Sequence, residues 1–321
     1  MAYVGVDLGA TNVRAVVGDG SATIIGSART TTPSGPTGSA ITEAVAAVVR
    51  DACSDAGLRP DSITAAGIGS MGRLDRAAGV VRTPSNLADD LGPIPLVEAL
   101  SELLETERVF LCGDTAAGAL GERFFNYPET PNVVYLTISS GIGAGIIADG
   151  SLLVGRNGNA GEVGHTTVDW QGALSCGCGR DGHWEAYCSG DNIPRFARLL
   201  YRRASISTDL PIEAESFTAK DVFEYAGEDE LADRVLRRLA TLNTVGVANV
   251  VHSYDPAVVI IGGAVALNNP SHVVAPIRDR LDDHVIVEAP AVALSELGEQ
   301  AVLKGALVYA LGDGAATEPP S

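Results

Sequence analysis

Apolar and polar positions along this chain switch between two periods, and the changeovers mark its elements. Residues 2–8 (AYVGVDL) and 13–17 (VRAVV) are apolar runs of strand length on either side of Gly9-Ala10-Thr11-Asn12. Two such runs around a tight turn predict a β-hairpin. Residues 39–56 carry apolar side chains at helical spacing and stop at Gly57, which predicts a helix. Strands are expected next at 65–69, 80–83 and 108–112, and helices at 94–104 and 116–124. Val133–Ile138 runs into Ser139-Ser140-Gly141-Ile142-Gly143-Ala144-Gly145 and a second apolar stretch at 146–150. This repeats the strand, glycine turn and strand of the first residues. Helices follow at 192–203, 219–225 and 228–253, then a strand at 257–261 that ends in Gly262-Gly263-Ala264. A strand at 291–294 and a helix at 301–311 complete the pattern. Two glycine-turn hairpins, each opening a run of strands and helices, imply a duplicated α/β architecture with a nucleotide between the halves.

Composition narrows the possibilities. With 321 residues, 46% of them hydrophobic, the chain can fill two domain cores. Only the tail 312–321 (GDGAATEPPS) lacks the apolar content to pack, and disorder is expected there. A net charge of −18 argues against nucleic acid and against an anionic membrane surface as partners. Of the 22 basic residues only Lys220 and Lys304 are lysines. An acidic surface so poor in lysine suits molar salt, where like-charge repulsion is screened, so a halophilic source is the first expectation. A high-GC genome that replaces lysine by arginine is the alternative. No apolar run of membrane length and no signal peptide are found, and five cysteines, three of them clustered, suit a reducing cytoplasm.

Three stretches carry candidate chemistry. The segment 161–190 holds Cys176, Cys178 and Cys188, His165 and His183, and both tryptophans. Cys176, Cys178 and His183 on one tight loop, with His165 as a fourth ligand, would form a closed tetrahedral zinc site. Cys188 competes with His183 for that role, and buried thiols beside ordinary histidines are the plain alternative. The turn at 9–12 exposes backbone N–H groups that can cradle an anion, with Thr11 and Asn12 adding donors and Asp7 holding a hydrated Mg²⁺. A simple hairpin with a solvated aspartate accounts for the same residues. Asp114 follows the strand at 108–112, where open α/β folds place functional groups, although it can equally cap the next helix.

Taken in order, six stretches resemble the ROK family of sugar kinases, whose fold belongs to the actin, hexokinase and Hsp70 superfamily. They are Asp7-Leu8-Gly9-Ala10-Thr11-Asn12-Val13-Arg14, the stretch from Gly67 through Gly72 to Asn86-Leu87, and Gly113-Asp114-Thr115 with Ala119-Leu120-Gly121-Glu122. Ser139-Ser140-Gly141-Ile142-Gly143 is the fourth. The fifth and most specific joins Gly161-Glu162-Val163-Gly164-His165 to Cys176-Gly177-Cys178-Gly179 and Gly182-His183-Trp184-Glu185. Asp255-Pro256 to Gly262-Gly263 is the sixth.

The resemblance implies duplicated actin-like ATPase domains (ribonuclease H-like) with a cleft between them, one of 1–113 plus 305–321 and one of 114–304. It implies phosphorylation of a hexose by Mg-ATP, most often glucose to glucose 6-phosphate, in the cytoplasm, as part of glycolysis and by a homodimer. Asp114 would be the general base, and Gly72, Asn86, Glu162, His165 and Glu185 would join it in holding the sugar. Asp7, Gly9, Thr11, Asn12, Ser140, Gly141 and Gly143 would line the phosphates and their Mg²⁺, with Gly262 and Gly263 near the adenosine. A structural Zn²⁺ would be held by His165, Cys176, Cys178 and His183.

Three departures from the family's pattern stand out. Gly113 replaces the usual Asn before the catalytic Asp, Met71-Gly72-Arg73 replaces Pro-Gly-Pro, and His183 replaces the third cysteine of the metal motif. The first two leave kinases of fructose, mannose or N-acetylhexosamine, and polyphosphate as donor, as alternatives within the class. The family also includes sugar-binding regulators with a helix-turn-helix ahead of the first strand. Here that strand begins at residue 3 and the charge is strongly negative, so an enzyme is expected.

Overall fold

The computed structural model of the chain describes residues 1–35, 37–83, 91–203 and 206–315. It opens with the expected hairpin, β1 (Ala2–Leu8) and β2 (Asn12–Gly18), then β3 (Ile24–Thr31) and helix α1 (Gly38–Asp55). Strands β4 (Ile63–Ser70), β5 (Arg73–Asp75), β6 (Val80–Thr83) and β7 (Ile94–Pro95) precede α2 (Val97–Leu104), β8 (Val109–Gly113) and α3 (Asp114–Asn126). The second half begins with β9 (Val133–Ile138), β10 (Ile142–Ala148) and β11 (Ser151–Leu152). Helices α4 (Glu185–Cys188), α5 (Ile193–Arg203), α6 (Ala219–Glu224) and α7 (Glu230–Tyr254) follow. The chain closes with β12 (Val258–Gly262), α8 (Ala264–Asn268), α9 (Pro270–Arg280), β13 (Ala291–Leu294) and α10 (Ala301–Leu311).

One sheet has the order β3-β2-β1-β4-β8 and another β11-β10-β9-β12-β13, so the duplication read from the two glycine hairpins is present. In the first sheet β1, β4 and β8 run parallel, with Leu8 level with Ser70 and Ser70 level with Gly113. Their residues alternate between two buried faces. Val4, Val6, Leu8, Ala66 and Ile68 pack with Ile41, Val45, Val48 and Val49 of α1. On the other face Gly5 and Gly67 let the backbone of α10 lie directly on the strands. A buried strand of this kind reads as a nearly continuous apolar run, as AYVGVDL does.

Two compact units emerge from the packing. One comprises Met1–Tyr135, Gly145–Gly161 and Glu299–Ser321, the other Leu136–Ala144 and Glu162–Gly298. The boundary expected at 113/114 lies inside the first unit, because α3 packs on α10 through the close approach of Gly121 and Gly305. The helix expected at 94–104 starts only at Val97. Val81 and Val80 pair with Ile94 and Pro95 as a short antiparallel ladder, and the N–H groups of Leu96 and Val97 turn back to the Gly79 carbonyl. The expected disorder of the tail is met by a folded turn at 312–315, where Arg108 pairs with Asp313 and Gly314 rests on Phe110. Residues 316–321 lie outside the described part. Among the described residues no helix is long and apolar enough to cross a membrane.

Candidate active site

In the first unit the candidate residues collect at the carboxyl ends of β1, β4 and β8. The turn after β1 is closed by the Gly9 N–H donating to the Asn12 carbonyl (3.0 Å). Thr32, just past β3, fixes the turn from outside, its hydroxyl donating to the Gly9 carbonyl (2.7 Å) and its N–H to that of Thr11 (2.9 Å). Thr11 is exposed, and Asn12 accepts a hydrogen bond from Arg29 Nε (3.2 Å). Gly72 occupies the turn between β4 and β5 at φ 84°. Asp7 shares a strand face with Gly5, the face on which α10 lies. Burial pushes its carboxyl up to about 7; Arg14, its cross-strand partner, opposes the shift and Asp114 adds to it. A carboxylate whose proton is held mainly by burial, with a second carboxylate nearby, is a fitting seat for a hydrated divalent cation, whose charge would reverse the shift.

Asp114 is the first residue of α3, and the cap is Gly113, so the reading of Asp114 as a helix cap does not hold. Its Oδ1 accepts the N–H of Thr115 (2.7 Å). Asp114 thus stands at the amino end of a thirteen-residue helix. Gly113 has φ −66° and ψ 152°, which any residue adopts, and a Cβ there would meet nothing within 4 Å. Neither backbone nor packing asks for glycine at this place.

In the second unit the turn 139–143 follows β9. The Ser139 N–H donates to the Gly141 carbonyl (2.9 Å), and the Gly190 N–H donates to the Ser139 carbonyl (2.7 Å). Gly263 caps α8 at φ 87°, so close to β9 that a Cβ would lie 2.5 Å from the Ile138 carbonyl. Gly262 and Gly263 thus come to the ends of β12 and β9 together with Ser140, Gly141 and Gly143.

The loop 161–185 brings His165, Cys176, Cys178 and His183 together, their ligand atoms all within 4.8 Å of one another. Cys176 Sγ is 3.6 Å from His165 Nδ1, and Cys178 Sγ is 3.2 Å from His183 Nδ1. Tetrahedral zinc with Zn–S of about 2.3 Å and Zn–N of about 2.0 Å spaces its ligands roughly 3.3–3.8 Å apart, so the donor set fits. Burial, with His165 beside it, lowers the pKa of His183 and keeps it in the neutral form that ligates a metal. Burial also raises the Cys176 thiol to about 11, a proton that a cation would displace. Cys188, the rival ligand, is buried in α4 away from the cluster. His165 Nε2 faces Glu162 at 3.6 Å, so one ring nitrogen looks to the cluster and the other to a carboxylate.

What holds this loop was not visible in the motif. Tyr187 donates to Asp169 (2.6 Å) and accepts the N–H of Leu174 (2.9 Å). Against the upward push of burial, Tyr187 and the N–H groups of Ala173 and Gln171 hold the Asp169 carboxyl low. Gly182 has φ 73° and passes so close to the Asp169 carbonyl that a Cβ would lie 1.9 Å from it. Trp184 is fully buried and donates Nε1–H to Asn243 of α7 (2.8 Å). A buried indole signals such a partner without saying which residue it is. Asn86, expected to contact the sugar, lies outside the described residues.

A family model described as "ROK family" matches residues 3–312. A glucokinase of Pyrobaculum calidifontis is 33% identical over 308 residues, 96% of this chain and 94% of that protein. Among solved structures, a ROK hexokinase from Thermus thermophilus superposes with a TM-score of 0.81 at 32% identity, covering 96% of this chain and 97% of that one. A ROK family glucokinase from Streptomyces griseus, in complex with glucose and AMPPNP, has a TM-score of 0.75 at 30% identity, covering 96% and 98%.

Proposed function

The chain belongs to the ROK family, and we propose on that premise that it transfers the γ-phosphoryl group of ATP to the 6-hydroxyl of a hexose, glucose first among them. The observation that carries this reading is the placement of Asp114 at the carboxyl end of β8, level with the turn at 9–12 across the parallel strands. Asp114 accepts the proton of the hydroxyl as its oxygen attacks the γ-phosphorus. The bond to the bridging oxygen breaks and ADP leaves. Phosphoryl transfer asks a protein mainly for positioning and charge neutralisation, so the backbone donors of 9–12 and 139–143 matter as much as the base. A Mg²⁺ beside Asp7 would neutralise charge on the phosphates. Glu162, His165 and Glu185 hold sugar hydroxyls, the two carboxylates because each can accept more than one hydroxyl hydrogen bond in fixed geometry.

His165, Cys176, Cys178 and His183 would hold a zinc ion that fixes the loop presenting Glu162 and Glu185. Purified protein is expected to carry about one zinc per chain. The Cys176→Ser/Cys178→Ser double variant should lose it and raise the sugar KM, because the loop presenting Glu162 and Glu185 is then no longer fixed. Elemental analysis that finds no zinc in the active wild type would contradict this.

The bare position at Gly113 removes one contact that would tell hexoses apart, so the sugar itself is settled by assay. ADP release measured over glucose, mannose, fructose and N-acetylhexosamines, at several molar KCl concentrations to suit the acidic surface, is expected to give the highest kcat/KM on glucose. A higher value on another hexose would reassign the substrate within the class. The cytoplasmic setting and the homodimer belong to the same proposal, and sedimentation at working concentration tests the dimer.

A further inference from the structure

We infer that Glu185 is a positioning residue for the nucleotide, separate from its part in holding the sugar, because its carboxylate holds the turn 139–143 from the start of α4. The residue before it, Trp184, is fixed by its buried indole, which bonds to Asn243 and lies against Gly246 of α7. Glu185 therefore starts α4 from an anchored point. Its Oε2 accepts the backbone N–H of Ile142 at 2.9 Å, and a Cβ added to Gly141 would lie only 2.8 Å from the same oxygen. Its Oε1 lies 3.7 Å from Cys176 Sγ. Just beyond α4, the Gly190 N–H holds the Ser139 carbonyl at 2.7 Å.

The segment 185–190 thus grips the turn at both ends, at Ser139 through Gly190 and at Ile142 through Glu185. The bond from the Ile142 N–H restrains a glycine-rich turn with little rigidity of its own. Without it, a phosphate-binding turn has to be ordered by its ligand, and that ordering is subtracted from affinity. The inference rests on the reading of 139–143 as a phosphate turn.

The test is titration of AMPPNP with Mg²⁺ into the zinc-loaded protein without sugar, where a residue that only held sugar would have no effect. Glu185→Ala is expected to weaken AMPPNP at least about tenfold. Glu185→Gln, whose amide oxygen reaches the same N–H, should stay within about threefold of wild type. Amide exchange in the peptide covering 139–143 should quicken in the alanine variant and not in the glutamine one. If the alanine variant does not fold, Glu185→Asp, one methylene too short to reach Ile142, should show the same loss. Wild-type affinity in the alanine or aspartate variant, or a glutamine variant as impaired as they are, overturns the inference. A wild type that does not bind AMPPNP instead overturns the kinase reading, and the exchange data then decide whether Glu185 restrains the turn.

Discussion

Replacing Asp114 with asparagine is expected to lower kcat for hexose phosphorylation about 10²–10⁴-fold, the range a general base contributes, while the fold stays intact. Asparagine has the same shape, and its carbonyl oxygen can keep the hydrogen bond that Asp114 accepts from Thr115. What it cannot do is take a proton. The structural cost includes a favourable charge at the head of α3, worth about 0.3–1 kcal/mol. Part of that is offset, because Asp114 raises the pKa of Asp7, and a neutral residue there lets Asp7 ionise more easily. The melting temperature should therefore move little while turnover collapses. Near-normal turnover in the asparagine variant would sink the assignment of the base.

The largest effect on stability is expected at Gly305. Helix α10 lies between the strands and α3, and Gly305 faces Ala117 so closely that a Cβ would sit 1.7 Å from its carbonyl oxygen. On the other side of the same crossing, a Cβ at Gly121 would lie 2.7 Å from the Ala301 carbonyl. Backbone cannot rotate aside as a flexible side chain can. Overpacking of this kind costs typically 1–3 kcal/mol and occasionally more, so Gly305→Ala should cost about 3 kcal/mol. In a chain of 321 residues that amounts to a drop of roughly 4–5 °C in Tm. Gly113→Ala is the control: its Cβ meets nothing and its φ is ordinary, so it should shift stability by less than about 0.5 kcal/mol. Because α3 carries Asp114 at its head, the Gly305 variant should also lose activity, since misplacing a catalytic group by about 1 Å can cost 10²-fold. Equal melting temperatures for the two alanine variants would contradict this account of the α3–α10 contact.

The chemistry-bearing stretches were more legible in the chain than the packing around them. The hairpin at 2–17, the passage from β8 into Asp114 and the four cluster ligands all follow from short-range patterns: apolar runs broken by glycine, and soft ligands spaced along one loop. β3 escaped because, as the outermost strand, it exposes both Ile24 and Ile25 and shows no apolar face. α9 escaped because Pro276 sits inside it, and proline normally argues against a helix interior. The bond from Ile142 to Glu185 spans 43 residues and leaves no periodic trace, so the link between α4 and the turn could only be seen folded. Gly305 has the same character: a glycine inside an apolar helix looks like a defect until the helix beneath it is in view.

The most direct test of the central claim is a coupled assay of glucose 6-phosphate formed from glucose and Mg-ATP, run on the wild type with Asp114→Asn alongside. The account predicts one glucose 6-phosphate per ADP released, with activity in the variant down by at least about 10²-fold. A wild type that binds nucleotide yet releases no ADP in response to glucose or any other hexose would contradict it.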